Sequence, residues 1–186
     1  MRQESVTLVV PLDYAFNVSR EQLSLASCFT LIEAIDFIQR RSKGENLLAC
    51  GNTEHPEQGM RAEDAIKLRK EIIEMLSVEC QVSFTQATNS IDEAENIKRE
   101  LDRQGVEVSE IHVFCDRFHA GRARLIWEYF FPNTNIVIHK VMCPWGSEQA
   151  QFAQRSTILW AIANYVAYFL MKVRGVESLR KIKQVS

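Results

Sequence analysis

Short apolar runs alternate with longer stretches of helical periodicity five times along this chain. Val6 to Leu12 is a run rich in β-branched residues, closed by Pro11 and Asp13, the pattern of a buried strand. From Ser19 to Arg41, residues Leu23, Ala26, Thr30, Leu31, Ala34, Ile35 and Ile38 recur at three- and four-residue steps and predict a helix. Ser19 and Ser24 are both available as its N-cap and Gly44 as its stop. Asn46 to Cys50 reads as a second strand, and the composition of Gly51-Asn52-Thr53-Glu54-His55-Pro56 reads as a loop. Arg61 to Leu76 is helical, with Ala65, Leu68, Ile72 and Met75 on one face, and Cys80 to Thr85 is a third strand. Ser90 and Glu93, at capping-box spacing, open a helix that runs to Gln104 and stops at Gly105.

The remaining elements follow the same rhythm. Glu110 to Cys115 is a fourth strand, Phe118 to Phe131 a helix ended by Pro132, and Asn135 to Val141 a fifth strand. After the turn Cys143-Pro144-Trp145-Gly146, residues Ser147 to Arg174 form a long final helix. Strands that are short and apolar, each followed by a helix, predict a Rossmann-like α/β three-layer sandwich: a mainly parallel five-stranded sheet with right-handed crossovers and a long C-terminal helix. No linker, repeat or low-complexity stretch divides the chain, so residues 1–186 are read as one domain.

Composition narrows the function classes. With 46% hydrophobic residues the 186-residue chain can build a full core. A formal net charge of -2 argues against a nucleic-acid-coating surface. The basic run Lys172, Arg174, Arg180, Lys181 and Lys183 reads as a solvated tail. The N-terminus lacks the pattern of a secretory leader, and the apolar stretch Thr157 to Met171 is shorter than the ~20 residues that cross a bilayer. Five dispersed cysteines without a Cys-x-x-Cys pair suit free thiols, so a cytoplasmic protein with no membrane anchor is expected.

In open parallel sheets the ligand lies beyond the carboxyl ends of the strands. Asp13, Tyr14, Asn52, Asn89, Ser90, Asp116, His119 and Arg122 all fall there. His119 and Arg122 are three apart at a predicted helix start and share a face. Backbone N–H groups of a helix start attract anions, Arg122 can clamp a phosphate or carboxylate, and His119 can donate a hydrogen bond or move a proton. The plainer reading pairs Arg122 or Arg124 with a surface acid and leaves His119 to cap the turn. Asn89 is either an ordinary helix cap or a ligand contact, and Gly51-Asn52 allows a ligand close to the backbone. Cys50, Cys115 and Cys143 near strand ends are nucleophile or metal candidates of low weight beside their reading as buried thiols. Asp13, Glu54, Glu63 and Glu93 are candidate general bases that nothing local separates. Trp145 is placed either to stack on a ligand ring or to pack at the rim.

Two segments carry a family resemblance. Ala87-Thr88-Asn89-Ser90-Ile91-Asp92-Glu93-Ala94-Glu95-Asn96 and Phe118-His119-Ala120-Gly121-Arg122-Ala123 are similar to the small polar turn with acidic residue and Asn, and to the aromatic-His-x-x-Arg-Ala, of the YdcF-like family, domain of unknown function 218, which includes SanA-like and ElyC-like envelope proteins. Arg61-Ala62-Glu63-Asp64-Ala65 matches the family's Glu-Ala helix start, and the resemblance spans residues 6–141. The chain departs from the pattern where Cys50-Gly51-Asn52 replaces a Gly-Gly, Ser90 replaces a Thr, and Pro11-Leu12-Asp13-Tyr14 replaces a glycine-rich loop. The resemblance implies a divergent member with a pocket around Asn89, Glu93, His119 and Arg122. It also implies a nucleotide-like or other anionic small-molecule ligand, S-adenosylmethionine among the candidates. An alternative from the residues alone is a non-catalytic interaction protein whose final helix, with Trp160, Tyr165, Tyr168 and Phe169, packs on a partner or a second copy.

Overall fold

The structure is a computed structural model that describes residues 6–19, 21–41, 45–54 and 59–178. Five strands, β1 (Val6–Pro11), β2 (Asn46–Thr53), β3 (Gln81–Ala87), β4 (Val108–Asp116) and β5 (Asn135–Val141), form one parallel sheet in the order β3-β2-β1-β4-β5. Between them run α1 (Leu25–Arg40), α2 (Ala62–Met75), α3 (Ser90–Gln104) and α4 (Ala120–Phe130), and α5 (Thr157–Arg174) follows β5. The chain is therefore the Rossmann-like α/β layout that the alternation predicts.

Both faces of the sheet are covered, which is why its strands are apolar runs rather than alternating ones. Leu31, Ala34, Ile35 and Ile38 of α1 and Ile73 of α2 pack on Val9, Leu48, Cys50 and Phe114. On the other face, Ile91, Ala94, Ile97 and Leu101 of α3 and Ile126 and Trp127 of α4 pack on Leu8, Val10, Leu47, Ile111 and Val113. α1 and α2 wind outward from β1 toward β3, then α3 crosses back to β4. The winding reverses between β1 and β4, and the cleft beyond these two strand ends is where this architecture places ligands.

Several boundaries differ from the sequence reading. α1 begins at Leu25 with Ser24 as N-cap, its hydroxyl accepting the Ser27 N–H at 3.1 Å; Ser19 lies in the preceding loop. That loop folds back through bridges from Phe16 to Leu23 and Asn17 to Gln149, so its apolar residues are core without being helical. β2 extends through Asn52 to Thr53, pairing with β3 up to Ala87, where a loop was expected from Gly51 onward. The final helix is shorter than expected, with a 3-10 turn, Phe152–Arg155, preceding α5. On α2 the buried positions are Ala62, Ala65, Arg69 and Ile73, and Met75 is exposed. The true face is rotated because a charged residue, Arg69, occupies the core side. Gly44 and the basic residues Arg180, Lys181 and Lys183 lie outside the described residues. Among the described residues, no helix is long and apolar enough to cross a membrane.

α3 starts differently from a Ser90–Glu93 capping box. Asn89 is the N-cap, and its Oδ1 accepts the N–H groups of Ile91 at 2.9 Å and Asp92 at 3.1 Å. Glu93 points inward and is buried. Gly105 ends the helix in the left-handed conformation, φ 67°, as a glycine can without strain. Asn89→Ala is expected to cost about 1 kcal/mol in urea unfolding, the usual value of an N-cap, and Ser90→Ala less than ~0.5 kcal/mol. The reverse ranking would return the cap to Ser90.

Candidate functional site

A cavity of about 250 Å³ opens at the reversal point, with Asp13 and Tyr14 from the end of β1 on one side. Ser90 at the start of α3, His119 and Arg122 at the start of α4, and Trp160 of α5 close it. Each strand end delivers its residue because the sheet stops there and the chain must turn. After β1 the turn is tight enough to hold Ala15 at φ 59°, a left-handed conformation that costs an alanine about 1 kcal/mol or more.

Asp13 is the anchor of this turn. Its Oδ1 accepts from the Ser27 hydroxyl of α1 and from the Arg69 guanidinium of α2, both at 2.8 Å, and its Oδ2 accepts the Thr53 N–H of β2 at 2.7 Å. Both side chains of the Asp13–Arg69 pair are fully buried. Burial raises the Asp13 pKa, but Arg69, the Thr53 N–H and the Ser27 hydroxyl outweigh it and hold the carboxyl below its ordinary value. With its oxygens so engaged, Asp13 is not a free general base.

Tyr14 links the two strand ends. Its hydroxyl oxygen accepts the Asp116 N–H at 2.8 Å, which leaves its own proton for His119 Nδ1, 3.1 Å away. Burial keeps this phenol protonated, raising its pKa well above 10. His119 is buried, and burial and then the Arg122 charge depress its pKa well below 6.5. A neutral imidazole that accepts at Nδ1 carries its proton on Nε2. That Nε2 is buried and has no protein partner. His119 occupies the N-cap position of α4, yet its side chain makes no cap hydrogen bond.

Arg122 completes this wall. Its Nη2 donates to Ser90 Oγ at 3.2 Å, and its guanidinium lies 6.0 Å from the Trp160 ring centre. Its Nε is shut off from solvent without a partner. Among the described residues no carboxylate pairs with it; burial lowers its pKa to about 10, leaving it charged at neutral pH. Arg124, by contrast, pairs with Glu128 on the surface at 3.2 Å.

The carboxyls behind the site are each engaged by the protein itself. Glu93 lies against Gly51, where any Cβ would overlap its side chain. The close approach allowed by Gly51 is therefore taken by a carboxyl group of the protein itself. Burial, then the nearby Asp13 charge, raises the Glu93 pKa to about 8. Asp116 is likewise raised by burial, while the Trp160 and Trp145 indole N–H groups donate to it at 3.0 and 3.2 Å.

Of the residues expected at the site, Asn89, Ser90, His119 and Arg122 all line the cavity, but the Asn89 side-chain oxygen is committed to the helix cap. Asn52 and Glu93 are buried outside its lining. The Asn52 amide donates to the carbonyls of Cys50 and Thr85 at 2.9 and 3.0 Å, tying β2 to β3. Trp145 packs edge-on to Tyr14 and does not line the cavity. Trp160, expected on an outer docking face, is buried and forms a wall of the cavity. Cys50, Cys115 and Cys143 have pKa values raised by burial, Cys50 to about 11, the opposite of an activated thiol. No group of three metal-ligating side chains is assembled among the described residues. Sequence reasoning missed Arg69 and Gln154, a buried cavity residue of the 3-10 turn. Arg69 was legible in principle, because Ala62, Ala65, Arg69 and Ile73 also keep three- and four-residue steps. No family model, curated protein or solved structure matches this chain.

The Glu93 shift carries a pH signature. The folded state keeps a proton that an unfolded glutamate releases near 4.5, so its contribution to stability is full below pH 4.5 and lost as pH rises through about 8. Glu93→Gln is expected to flatten this part of the profile, losing less thermal stability than the wild type between pH 5 and pH 8.5. Parallel profiles for the two proteins would mean that Glu93 ionises as an ordinary surface carboxyl.

Proposed function

We propose that this domain is a divergent YdcF-like protein that binds an anionic small molecule at the carboxyl edge of its sheet, with the anion seated on Arg122. The observation that carries the reading is a half-buried guanidinium lining a cavity, with no carboxylate partner among the described residues, beside a buried histidine N–H with no acceptor among them. A cation removed from water is costly unless an opposite charge meets it, and a ligand phosphate or carboxylate supplies that charge. The Ser90 hydroxyl, already accepting from Arg122, has its proton left to donate to the same anion. The resemblance supports the reading from another direction, since three of the four pocket residues it implies, Asn89, His119 and Arg122, line this cavity, while Glu93 lies outside the lining.

The volume sets the size of what fits. About 250 Å³ is below the ~300–1,000 Å³ of sites that enclose a drug-sized ligand. A phosphate or carboxylate on a body of about one ring fills it. A whole nucleotide-like ligand such as S-adenosylmethionine would extend beyond the opening. Tyr14 and Trp160 offer the body aromatic walls.

In this arrangement His119 is a hydrogen-bond donor rather than a base. Its Nε2 already holds the proton, Glu93 is protonated to about pH 8, and Asp13 is engaged by three donors. Arg122 and a neutral imidazole N–H lining the same cavity stabilise negative charge, resting or developing. Binding and orientation of an anion is the function these groups support.

Thermal-shift and calorimetric titrations with phosphate, pyrophosphate, nucleoside monophosphates and S-adenosylmethionine at fixed ionic strength test it. An anionic ligand is expected to raise the melting temperature with the logarithm of its concentration. Arg122→Met should weaken that ligand by at least roughly 30-fold, while changing the stability of the ligand-free protein by no more than ~1 kcal/mol. A variant that binds as the wild type does, or one that unfolds for want of Arg122, would give this residue a structural role instead.

A further inference from the structure

We propose that α5 is the interface of a homodimer, in which two copies pair antiparallel along the seam Leu159, Ile162, Val166, Phe169 and Val173. Only three of the eighteen residues of α5 are buried, Trp160, Asn164 and Met171. The seam residues, flanked by Ile158 and Tyr165, are between 40% and 70% exposed. Their spacing is 3, 4, 3, 4, the step of a coiled-coil seam, whereas packing on a sheet requires no such repeat. From Thr157 to Met171 the helix has no charged residue, so nothing on this face is built to meet water.

Area and charge select the occupant. The seam and its flanks present roughly 800 Å² of surface, what a standard interface takes from each partner and above the ~300–600 Å² of the largest patch on an ordinary monomer. A two-fold axis makes one such patch sufficient, because each copy supplies the same surface to the other. Lys172 and Arg174 stand at one end of α5. Parallel pairing would set these cations against their own copies; antiparallel pairing separates them and opposes the helix dipoles. The seam is centred on Val166, which then meets Val166 of the second copy at the axis.

The proposal is independent of the anion site, although the two share a helix. Trp160 and Met171 on the inner side of α5 line the cavity while the seam runs along its outer side. A dimer contact on α5 thus braces one wall of the cavity from behind.

Sedimentation equilibrium of the full chain at micromolar concentration is expected to give twice the chain mass. The exposed-face double variant Ile162→Glu/Phe169→Glu should give one chain mass with unchanged far-ultraviolet circular dichroism. Met75→Glu, at an exposed apolar residue of α2, should remain dimeric. After mild oxidation Val166→Cys should cross-link to itself, while Leu159→Cys and Val173→Cys cross-link only when mixed, with the wild type and its native thiols as the blank. A wild-type monomer would overturn the proposal, as would a dimer untouched by the double variant. So would a monomer that co-sediments with phosphatidylcholine–phosphatidylglycerol vesicles, which would make the seam a lipid-binding face. Self-cross-linking at Val173 as strong as at Val166 would overturn the antiparallel arrangement.

Discussion

Two guanidinium groups sit beneath the carboxyl edge of this sheet, and among the described residues only one, Arg69, is paired with a carboxylate. Arg69 is fully buried against Asp13, and that pair sets the geometry of the edge. Through one carboxylate the end of β1 is tied to α1 by Ser27, to β2 by the Thr53 N–H and to α2 by Arg69. Removing either partner would leave an uncompensated charge in the interior, at a cost of about 3–5 kcal/mol. Arg122 has no such partner. Its position beside the cavity follows from the turn that Asp13 and Tyr14 fix, and its lack of a counter-charge follows from what the surrounding carboxyls do.

Those carboxyls are kept from competing. Glu93 holds its proton to about pH 8, because burial and Asp13 both disfavour its charge. Asp116 is satisfied by two indole N–H groups and the Phe118 N–H. Asp13 is already neutralised by Arg69. A cavity with several acidic residues around it therefore carries positive charge on Arg122, with the buried, unpartnered Nε2–H of His119 beside it. The neutral state of His119 belongs to the same design: burial, and then the Arg122 cation beside it, disfavour a second positive charge. The Tyr14 hydroxyl, fixed by the Asp116 N–H, selects which nitrogen carries the proton.

The fold was legible because each strand is a short apolar run and each helix keeps its period, features that need only local residues. Two of the differences depend on distant contacts. Leu23 belongs to the core by pairing with Phe16 rather than by lying in α1, and β2 runs on through Asn52 because β3 is there to receive its backbone groups. The site was half legible. Asn89, Ser90, His119 and Arg122 are short-range features of two helix starts. Asn52 and Glu93 have the right chemistry at the right strand ends, but one amide braces two strands and one carboxyl fills the space left by Gly51. The Asp13–Arg69 pair joins residues 56 positions apart, and the Trp160 wall is set by its bond to Asp116, 44 positions away. No local pattern announces either.

The protonation state of His119 is the most direct reporter of this electrostatic arrangement. In protein labelled with ¹⁵N-histidine, long-range proton–nitrogen correlations identify which ring nitrogen holds the proton at each pH. The arrangement predicts a neutral Nε2–H tautomer that persists as the pH falls through 6.5, with an Nε2 proton shift that moves on addition of phosphate in the wild type and not in Arg122→Met. An imidazole that titrates near its ordinary 6.5, or one protonated at Nδ1, would contradict it.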